Sequence, residues 1–497
     1  MLTLLEPHEF AALREALSRA GYDDEGLLAT LGPIEVPNRP GGELPHLLYM
    51  TRRGRPLDTL IRLFLFGAAV EEEAARAALG PEPLESAVRT GLLERAGLMI
   101  RARVKLMPFR GLVLAVDQPA REEVAARHDL VMGLTYSTIA LANFTIRRAT
   151  RRTLDLGTGC GVQAFLAARH SEEVLGTDSN RRALEFAAFN AVLNGCPQVM
   201  LREGDMFGPV RGQRFGLIVC NPPFAISPSR RFVYRDSGLE ADGLVWRLVR
   251  EAPGFLEEGG YCQIVCDWVH LAGRDPQERL AEWFGGRGCD TWVLKTATSE
   301  AGEYAHMWIR DTEPVAGAEE AARLYEEWTA YFARQGIEAV STGMIALRRR
   351  SGARNWARFD DLPEGTAGEF GEAVLLGFRL RDFLEAARAD EALLEGTFRL
   401  SPDLRLRQQS QWSEGGWRVE AAEIGLERGL KFRGNVDRNA LAMLTLCDGR
   451  RRLRDVLEEA AASLGATVER VAPPCVALLR RLIERGYVLP AAWEEKL

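Results

Sequence analysis

Short apolar runs alternate with amphipathic stretches through the middle of this chain. Thr153-Leu154-Asp155-Leu156 is short, apolar and closed by glycine, the pattern of a parallel strand covered on both faces. Residues 162–169 then carry helical spacing. The same unit recurs, which predicts strands over 174–178, 199–202, 215–220, 261–267 and 290–296 and helices over 180–193, 242–258 and 276–284. Residues 304–310 alternate and read as another strand, 319–334 as a long amphipathic helix, and 337–347 as a return to the sheet. Strands and helices in this alternation predict an α/β fold with a doubly wound, mostly parallel sheet.

The flanks lack this rhythm. Residues 57–66, 71–79 and 84–93 read as three helices, and 98–114 as one β-hairpin with Ile100, Ala102, Val104 and Leu106 on one face. The expectation is a helical, winged-helix-like N-terminal domain over 1–125, with a proline- and glycine-rich linker at 36–42 setting off a first helix. A central domain would span 126–350. A C-terminal α+β domain over 351–497 would end in helices at 439–446, 453–462 and 471–484 and a short strand at 486–489. Its Leu444-Thr445-Leu446-Cys447-Asp448-Gly449 resembles the small PqqD-type modules, and a winged-helix-like arrangement is the other reading.

Two stretches of the central domain carry candidate chemistry. The first is the strand-to-helix turn Asp155-Leu156-Gly157-Thr158-Gly159-Cys160-Gly161, whose glycines permit a sharp bend and close approach of a ligand. A dinucleotide turn would place its third glycine at position 162, which is valine, and no Gly-Lys-Ser/Thr follows as in a phosphate loop. Asp178 ends the next predicted strand, about 20 residues beyond Gly157, where a carboxylate can accept from both hydroxyls of a ribose. Its alternative is a helix cap, a part Ser179 or Asn180 would also fill.

The second stretch is Asn221-Pro222-Pro223-Phe224, at the end of the predicted strand 215–220. Two prolines stop a strand, but they explain neither the asparagine before them nor the aromatic after them. Amide nitrogens and exocyclic base amines are poor nucleophiles because their lone pair is conjugated. The Asn221 side-chain oxygen and the Pro222 carbonyl are suited to accept both N–H groups of such a nitrogen, and Phe224 to stack on its plane. Proline rigidity then helps to hold the reacting geometry.

Asp-x-Gly-x-Gly-x-Gly, Thr177-Asp178 and Leu217-Ile218-Val219-Cys220-Asn221-Pro222-Pro223-Phe224 together resemble the class I methyltransferases that use S-adenosylmethionine. Among these they resemble the HemK/PrmC-type (release-factor glutamine) and small-domain N-methyltransferases, over roughly residues 132–310. The resemblance implies a Rossmann-like core with an antiparallel final strand and S-adenosyl-L-methionine as cofactor. It implies Asn221, Pro222 and Phe224 as catalytic residues. The cofactor set would be Asp155, Gly157, Thr158, Gly159, Gly161, Asp178, Ser179, Asp205 and Asn221, with Asp205 accepting from the adenine amino group or serving only as a turn residue. Pro223, Tyr234 and Arg235 are candidates for substrate binding, although Tyr234 and Arg235 equally suit an anchored aromatic and a surface ion pair. Residues 134–148 predict a helix capped by Ser137 or Thr138; in related enzymes this segment closes over the cofactor, and a packing helix is the other reading. The implied acceptor is a planar amide or amino nitrogen of a macromolecule, a protein glutamine side chain of the release-factor type. The alternative is an adenine or guanine amino group of rRNA, tRNA or DNA. Two features depart from the release-factor enzymes: Phe224 stands where they usually carry tyrosine, and large segments flank the core.

Composition narrows the partners. The formal net charge is −7 over 497 residues, and no expected domain has a basic excess, which favours a protein acceptor over RNA or DNA. Arg348-Arg349-Arg350, with Arg354 and Arg358 beyond, is the candidate for a local nucleic-acid patch, and a solvated strand end or linker is the favoured reading. No apolar run reaches about 18 residues and the N-terminus lacks signal-peptide features, so a cytoplasmic protein without a membrane partner is expected. The eight cysteines and six histidines have no ligand spacing, so no metal is expected.

Overall fold

The computed structural model describes residues 2–4, 6–32, 44–118, 127–313, 317–352, 354–463 and 465–493. The linker expected at 36–42 lies outside them. The chain divides into two units, residues 1–142 with 148–360, and residues 143–147 with 361–497. The boundary expected near 125 does not separate compact units, because the N-terminal part and the central domain share a core.

The first unit begins with α1 (Pro7–Arg19), α2 (Asp24–Leu31), α3 (Leu44–Met50) and α4 (Pro56–Leu60), the last continued by a π-type turn over Ile61–Leu65. Then come β1 (Val70–Glu71), α5 (Glu72–Leu79), α6 (Pro81–Arg89), β2 (Leu93–Ala96), β3 (Met99–Ala102), β4 (Val104–Phe109) and β5 (Leu112–Asp117). The single hairpin expected over 98–114 is in fact two pairings. β3 pairs with β2 and β1, whereas β4 pairs with β5 around Arg110-Gly111. Both of these residues have positive φ, 50° and 73°.

The central domain follows as α7 (Tyr136–Phe144), β6 (Thr150–Leu156), α8 (Val162–Ala167), β7 (Ser171–Asp178), α9 (Arg181–Leu193), β8 (Val199–Glu203), β9 (Phe215–Cys220), α10 (Gly243–Glu251), β10 (Leu256–Leu271), α11 (Pro276–Phe284), β11 (Cys289–Glu300), α12 (Ala301–Thr312), α13 (Ala318–Gln335), β12 (Ile337–Arg349) and β13 (Ala357–Asp361). These strands form an eight-stranded sheet in the order β13-β11-β12-β10-β9-β6-β7-β8. The run from β10 to β8 is parallel, and β12 is antiparallel to both β10 and β11, as the expected Rossmann-like core requires.

Two expectations fail here. Residues 304–310 are helical, part of α12: Tyr304, Ala305 and Ile309 are buried and Trp308 is half-buried, a stripe at helical spacing. The helix expected over 242–258 stops at Glu251, because Pro253 cannot continue it, and β10 starts at Leu256.

The second unit holds α14 (Gly371–Ala386), α15 (Asp390–Leu394), β14 (Thr397–Leu400), β15 (Leu404–Ser413), β16 (Gly416–Leu426), β17 (Arg433–Asn435), α16 (Arg438–Thr445), β18 (Asp448–Arg452), α17 (Leu453–Ser463), α18 (Val468–Glu484) and β19 (Val488–Pro490). Its strands form two small sheets, β18-β14-β19 and β15-β16-β17. The last three helices lie within a few residues of their expected spans.

In the first unit, α1 packs against α9, where Phe10 and Phe189 meet edge-on at 5.1 Å. The Arg14 guanidinium donates to the Val192 and Leu193 carbonyls at the end of α9. Two asparagines one turn apart, Asn190 on α9 and Asn194 at its C-cap, take up the edge of the β4–β5 hairpin. Asn194 accepts from the Val113 N–H and donates to the Val113 carbonyl, both at 2.8 Å. Asn190, fully buried, does the same with Ala115 at 2.8 and 2.9 Å, and also donates to the Cys160 carbonyl in the glycine turn at 2.9 Å. A side-chain amide here does the work of a neighbouring strand. Replacing Asn190 by leucine should leave the Ala115 groups buried without partners and destabilise the unit by about 2–3 kcal/mol. Urea unfolding would check this, and a loss within experimental error would refute the assigned role.

Candidate active site

Parallel pairing places Thr177, Leu156 and Cys220 in one row across β7, β6 and β9. The next residues outward are therefore Asp178, Gly157 and Asn221, side by side at the carboxyl edge. Here the strand order reverses, since the chain runs from β6 out through β7 to β8 and returns to β9 on the other side of β6. Ligands of open α/β sheets bind at such switch points.

The glycine turn is held mostly by backbone. The Gly157 and Thr158 N–H groups both donate to the Thr177 carbonyl at 2.8 Å. The Gly159 N–H donates to the Asp178 carboxylate at 2.9 Å, and the Asn180 N–H donates to its other oxygen at 2.8 Å. Gly157 and Gly159 have φ of 73° and 55°, and a Cβ at either would meet nothing within 4 Å. Both glycines thus back onto open space. Asp178 closes one side of it, and burial raises its carboxyl above the usual range while the Asn180, Gly159 and Ser179 N–H groups pull it down. Asn180, not Asp178, caps α9 by accepting from the Arg182 N–H. A nucleoside-bearing cofactor fits this seat: two bare backbone positions lie beside a carboxylate at a switch point.

The remaining members of the expected cofactor set sit differently. Asp155 is 1% exposed and faces inward. It accepts from the Thr158 hydroxyl at 2.7 Å and the Ala164 N–H at 2.9 Å, so Asp155 and Thr158 shape the turn and leave ligand contact to its backbone. Gly176, beside Asp155 on β7, makes this possible, because a Cβ there would lie 2.9 Å from the Thr158 hydroxyl. At Gly161 a Cβ would lie 2.4 Å from the Phe165 ring, so this glycine admits its own helix rather than a ligand. Ser179 is exposed, and Asp205 is 78% exposed with Arg247 3.9 Å away.

On the other side of Gly157, Asn221 is anchored by partners the sequence did not reveal. Its Nδ2 donates to Ser137 Oγ at 3.2 Å and Thr138 Oγ1 at 3.4 Å. Thr135 caps α7 by accepting from the Thr138 N–H, which leaves Ser137 and Thr138, the expected caps, available to Asn221. With its donor engaged, the Asn221 amide has its acceptor oxygen to offer. Pro222 is buried, while Pro223 and Phe224 are half-buried. The Phe224 ring meets Trp308 of α12 edge-on, at 6.5 Å and 76°.

Arg235 does not reach a substrate. Its side chain is fully buried and bridges Asp236 (2.7 Å) and Glu313 (2.8 Å), with Thr312 also accepting. The Asp236 carboxylate in turn accepts from the Arg231 and Phe232 N–H groups at 3.0 Å. This network folds the loop after the tetrapeptide, and breaking such a buried pair typically costs about 3–5 kcal/mol. Tyr234 is half-buried, its ring 5.6 Å from that of Phe232. Among the described residues, no cluster of three or more histidine, cysteine, aspartate or glutamate side chains could hold a metal, and no helix is long and apolar enough to cross a membrane.

Residues 135–285 match the family described as methyltransferase small domain. Residues 19–103 and 377–490 match two domains of unknown function, DUF7059 and DUF7782. The chain is 37% identical over 130 residues to a release factor glutamine methyltransferase of Xylella fastidiosa, covering 24% of this chain and 47% of that protein. It is 36% identical over 132 residues to a ribosomal protein uL3 glutamine methyltransferase of Bradyrhizobium diazoefficiens, covering 24% and 41%. It is 31% identical over 116 residues to a ribosomal RNA small subunit methyltransferase C of Alcanivorax borkumensis, covering 23% and 32%. The chain thus spans less than half the length of each of these relatives.

Burial pushes the Asp155 carboxyl from its ordinary 3.8 up to about 7, with the nearby Asp178 charge adding to the rise and the Thr158 and Ala164 hydrogen bonds opposing it. Between these values the folded protein holds a proton that the unfolded chain has released. The stability this group contributes is full below its unfolded pKa and is lost as pH rises through the folded one. Asp155→Asn should therefore gain on the wild type by up to ~1.4 kcal/mol per pH unit across that window. Urea unfolding at a series of pH values would measure it; a difference that does not change with pH would refute the buried titration.

Proposed function

We propose that this chain, a class I S-adenosylmethionine-dependent methyltransferase of the HemK/PrmC type, methylates the side-chain amide nitrogen of a glutamine in a protein of the translation apparatus. The observation that carries this reading is the state of Asn221. Its Nδ2 is committed to Ser137 and Thr138, so Oδ1 is the atom left to face an acceptor. Beside it, Pro222 supplies a carbonyl on a backbone of fixed φ, and together these two acceptors can hold both N–H groups of one planar nitrogen. Drawing on both N–H groups localises the nitrogen lone pair, while Phe224 packs against the planar group and is itself kept in place by Trp308.

Gly157, Gly159 and Asp178 would hold the cofactor, the glycines through their bare backbone and Asp178 through its carboxylate, with Asp205 at the next strand end available to the adenine amino group. When bound, S-adenosylmethionine supplies an electrophilic methyl group. A methylated amide nitrogen sheds its proton readily to water, so the chain needs no strong base beside Asn221, and the tetrapeptide contains none.

The absence of a basic excess and the relatives named for glutamine methylation favour a protein acceptor. The relative named for ribosomal RNA makes a base amine the outcome to test against. The protein should be incubated with tritium-labelled S-adenosylmethionine and, separately, with a purified bacterial release factor and with deproteinised ribosomal RNA. Label in the protein acceptor, on glutamine, is expected; label in RNA alone would overturn the assigned acceptor. Asn221→Ala should lower transfer at least ~100-fold, the order seen when a positioned hydrogen-bonding group is removed from an active site. Its dissociation constant for the cofactor should change little in calorimetry, and equal losses in both would remove Asn221 from its role. Asp178→Ala should weaken cofactor binding by about tenfold or more, equivalent to ~1.4 kcal/mol; unchanged affinity would refute the carboxylate contact.

A further inference from the structure

The segment that follows the tetrapeptide is suspended from a buried phenol. Ile226, two residues beyond Phe224, is fully buried, and its N–H donates to the Tyr304 hydroxyl at 3.0 Å. That hydroxyl donates in turn to Asp267 Oδ2 at 2.6 Å. Tyr304 and Asp267 are each 1% exposed. Asp267 lies on β10, three residues past Ile264, which pairs with Cys220 immediately before Asn221. Tyr304 sits on α12 one turn before Trp308, the residue against the Phe224 ring. One helix therefore touches the acceptor segment twice, once by a hydrogen bond at Ile226 and once by ring packing at Phe224.

Tyrosine suits this bridge chemically. Its hydroxyl can accept from an amide and donate to a carboxylate at the same time, while its ring fills the cluster formed with Ile226, Val269, Ile309, Trp328 and Phe332. Phenylalanine would fill the same space but leave the Ile226 N–H and the Asp267 carboxylate oxygen without these partners. The hydrogen bonds of this bridge do not involve Gly157, Gly159 or Asp178.

We propose that Tyr304, oriented by Asp267, is a positioning residue that fixes Asn221–Phe224 relative to the cofactor seat, so that it governs turnover rather than cofactor affinity. The proposal rests on the reading that this tetrapeptide seats the acceptor. Small displacements of a reacting group can cost about 100-fold in rate, so one missing anchor behind the tetrapeptide should be visible in kcat.

The test compares Tyr304→Phe, Asp267→Ala and Asp267→Asn in the full chain. Three quantities are measured: cofactor affinity by calorimetry, kcat and KM with release factor as acceptor, and amide hydrogen exchange of the peptide containing Ile226. Tyr304→Phe should lower kcat at least ~10-fold, leave the cofactor dissociation constant within about twofold, and speed Ile226 exchange at least ~10-fold. Asp267→Asn keeps an oxygen that can accept from the tyrosine, so it should recover most of what Asp267→Ala loses. Wild-type kcat in Tyr304→Phe would overturn the proposal, as would a loss of turnover matched by loss of cofactor binding. Faster exchange with unchanged kcat would reduce Tyr304 to a structural role and also overturn it. Should the wild type label neither protein nor RNA, the functional reading falls; the exchange measurement still decides whether the bridge exists, since an Ile226 amide equally protected in Tyr304→Phe would sink it. If Tyr304→Phe does not fold, the two Asp267 variants carry the same comparison.

Discussion

The site depends on the register of three parallel strands. Thr177, Leu156 and Cys220 share a row, and the peptide ladder holds neighbouring strands about 4.8 Å apart, so Asp178, Gly157 and Asn221 follow as neighbours. The carboxylate, the bare turn and the acceptor amide are thus delivered by backbone geometry alone, within about 10 Å of one another. A slip of β9 by one residue would put Cys220 or Pro222 at this edge and would turn Ile218 from one layer of the core to the other. Burial of every residue of β9 opposes that slip.

Around this row, buried polar side chains do what the ladder cannot. Asp155 reaches over the turn to Thr158 and Ala164, and Gly176 leaves room for it. Asn190 ties the Cys160 carbonyl of the same turn to β5, which makes the N-terminal hairpin part of the turn's support rather than an independent wing. Each of these groups has its partner, which is the condition under which a buried polar network rigidifies a core instead of weakening it. The merging of the N-terminal part with the central domain into one unit has this concrete basis, together with the shared cluster of Phe10, Leu17, Phe186 and Phe189.

The strand ends and the turn that place Gly157, Gly159 and Asp178 side by side were legible in the sequence because their signals are local. Gly157, Gly159 and Asp178 lie at the ends of short apolar runs, and their spacing alone marks strand ends and a turn. The partners of Asn221 are not local. Asn221 meets Ser137 and Thr138 across 84 and 83 positions of sequence, and hydroxyls near a helix start read first as caps. Arg235 was open to a substrate role because nothing near it reveals Glu313, 78 positions on, whose carboxylate buries it in an ion network. The helix α12 was read as a strand because Ala305, Met307 and Ile309 alternate with more polar neighbours; the pairs Tyr304–Trp308 and Ala305–Ile309, four apart, are the signal that decides for a helix. Asp155 and Thr158 had the right spacing for a ligand-binding turn, but spacing does not say which way a side chain points.

These differences bear on how an acceptor is chosen. A glutamine amide and an exocyclic base amine both present a planar nitrogen with two N–H groups, so Asn221 and Pro222 alone are equally suited to either. What separates the two acceptors is the size of the planar body behind the nitrogen and the charge of the polymer that carries it. Beside the tetrapeptide, Phe224 meets Trp308 edge-on and the Tyr304 hydroxyl accepts from the Ile226 N–H. As for charge, several arginines of the chain are paired with carboxylates, Arg235 with Asp236 and Glu313, Arg348 with Asp290, Arg279 with Asp242. Arg348 is the first residue of the basic run that the sequence offered as a nucleic-acid patch, and its partner Asp290 is fully buried. A guanidinium committed inside the protein cannot neutralise a phosphate, so Arg348 ties the ends of β11 and β12 together instead of facing a polyanion.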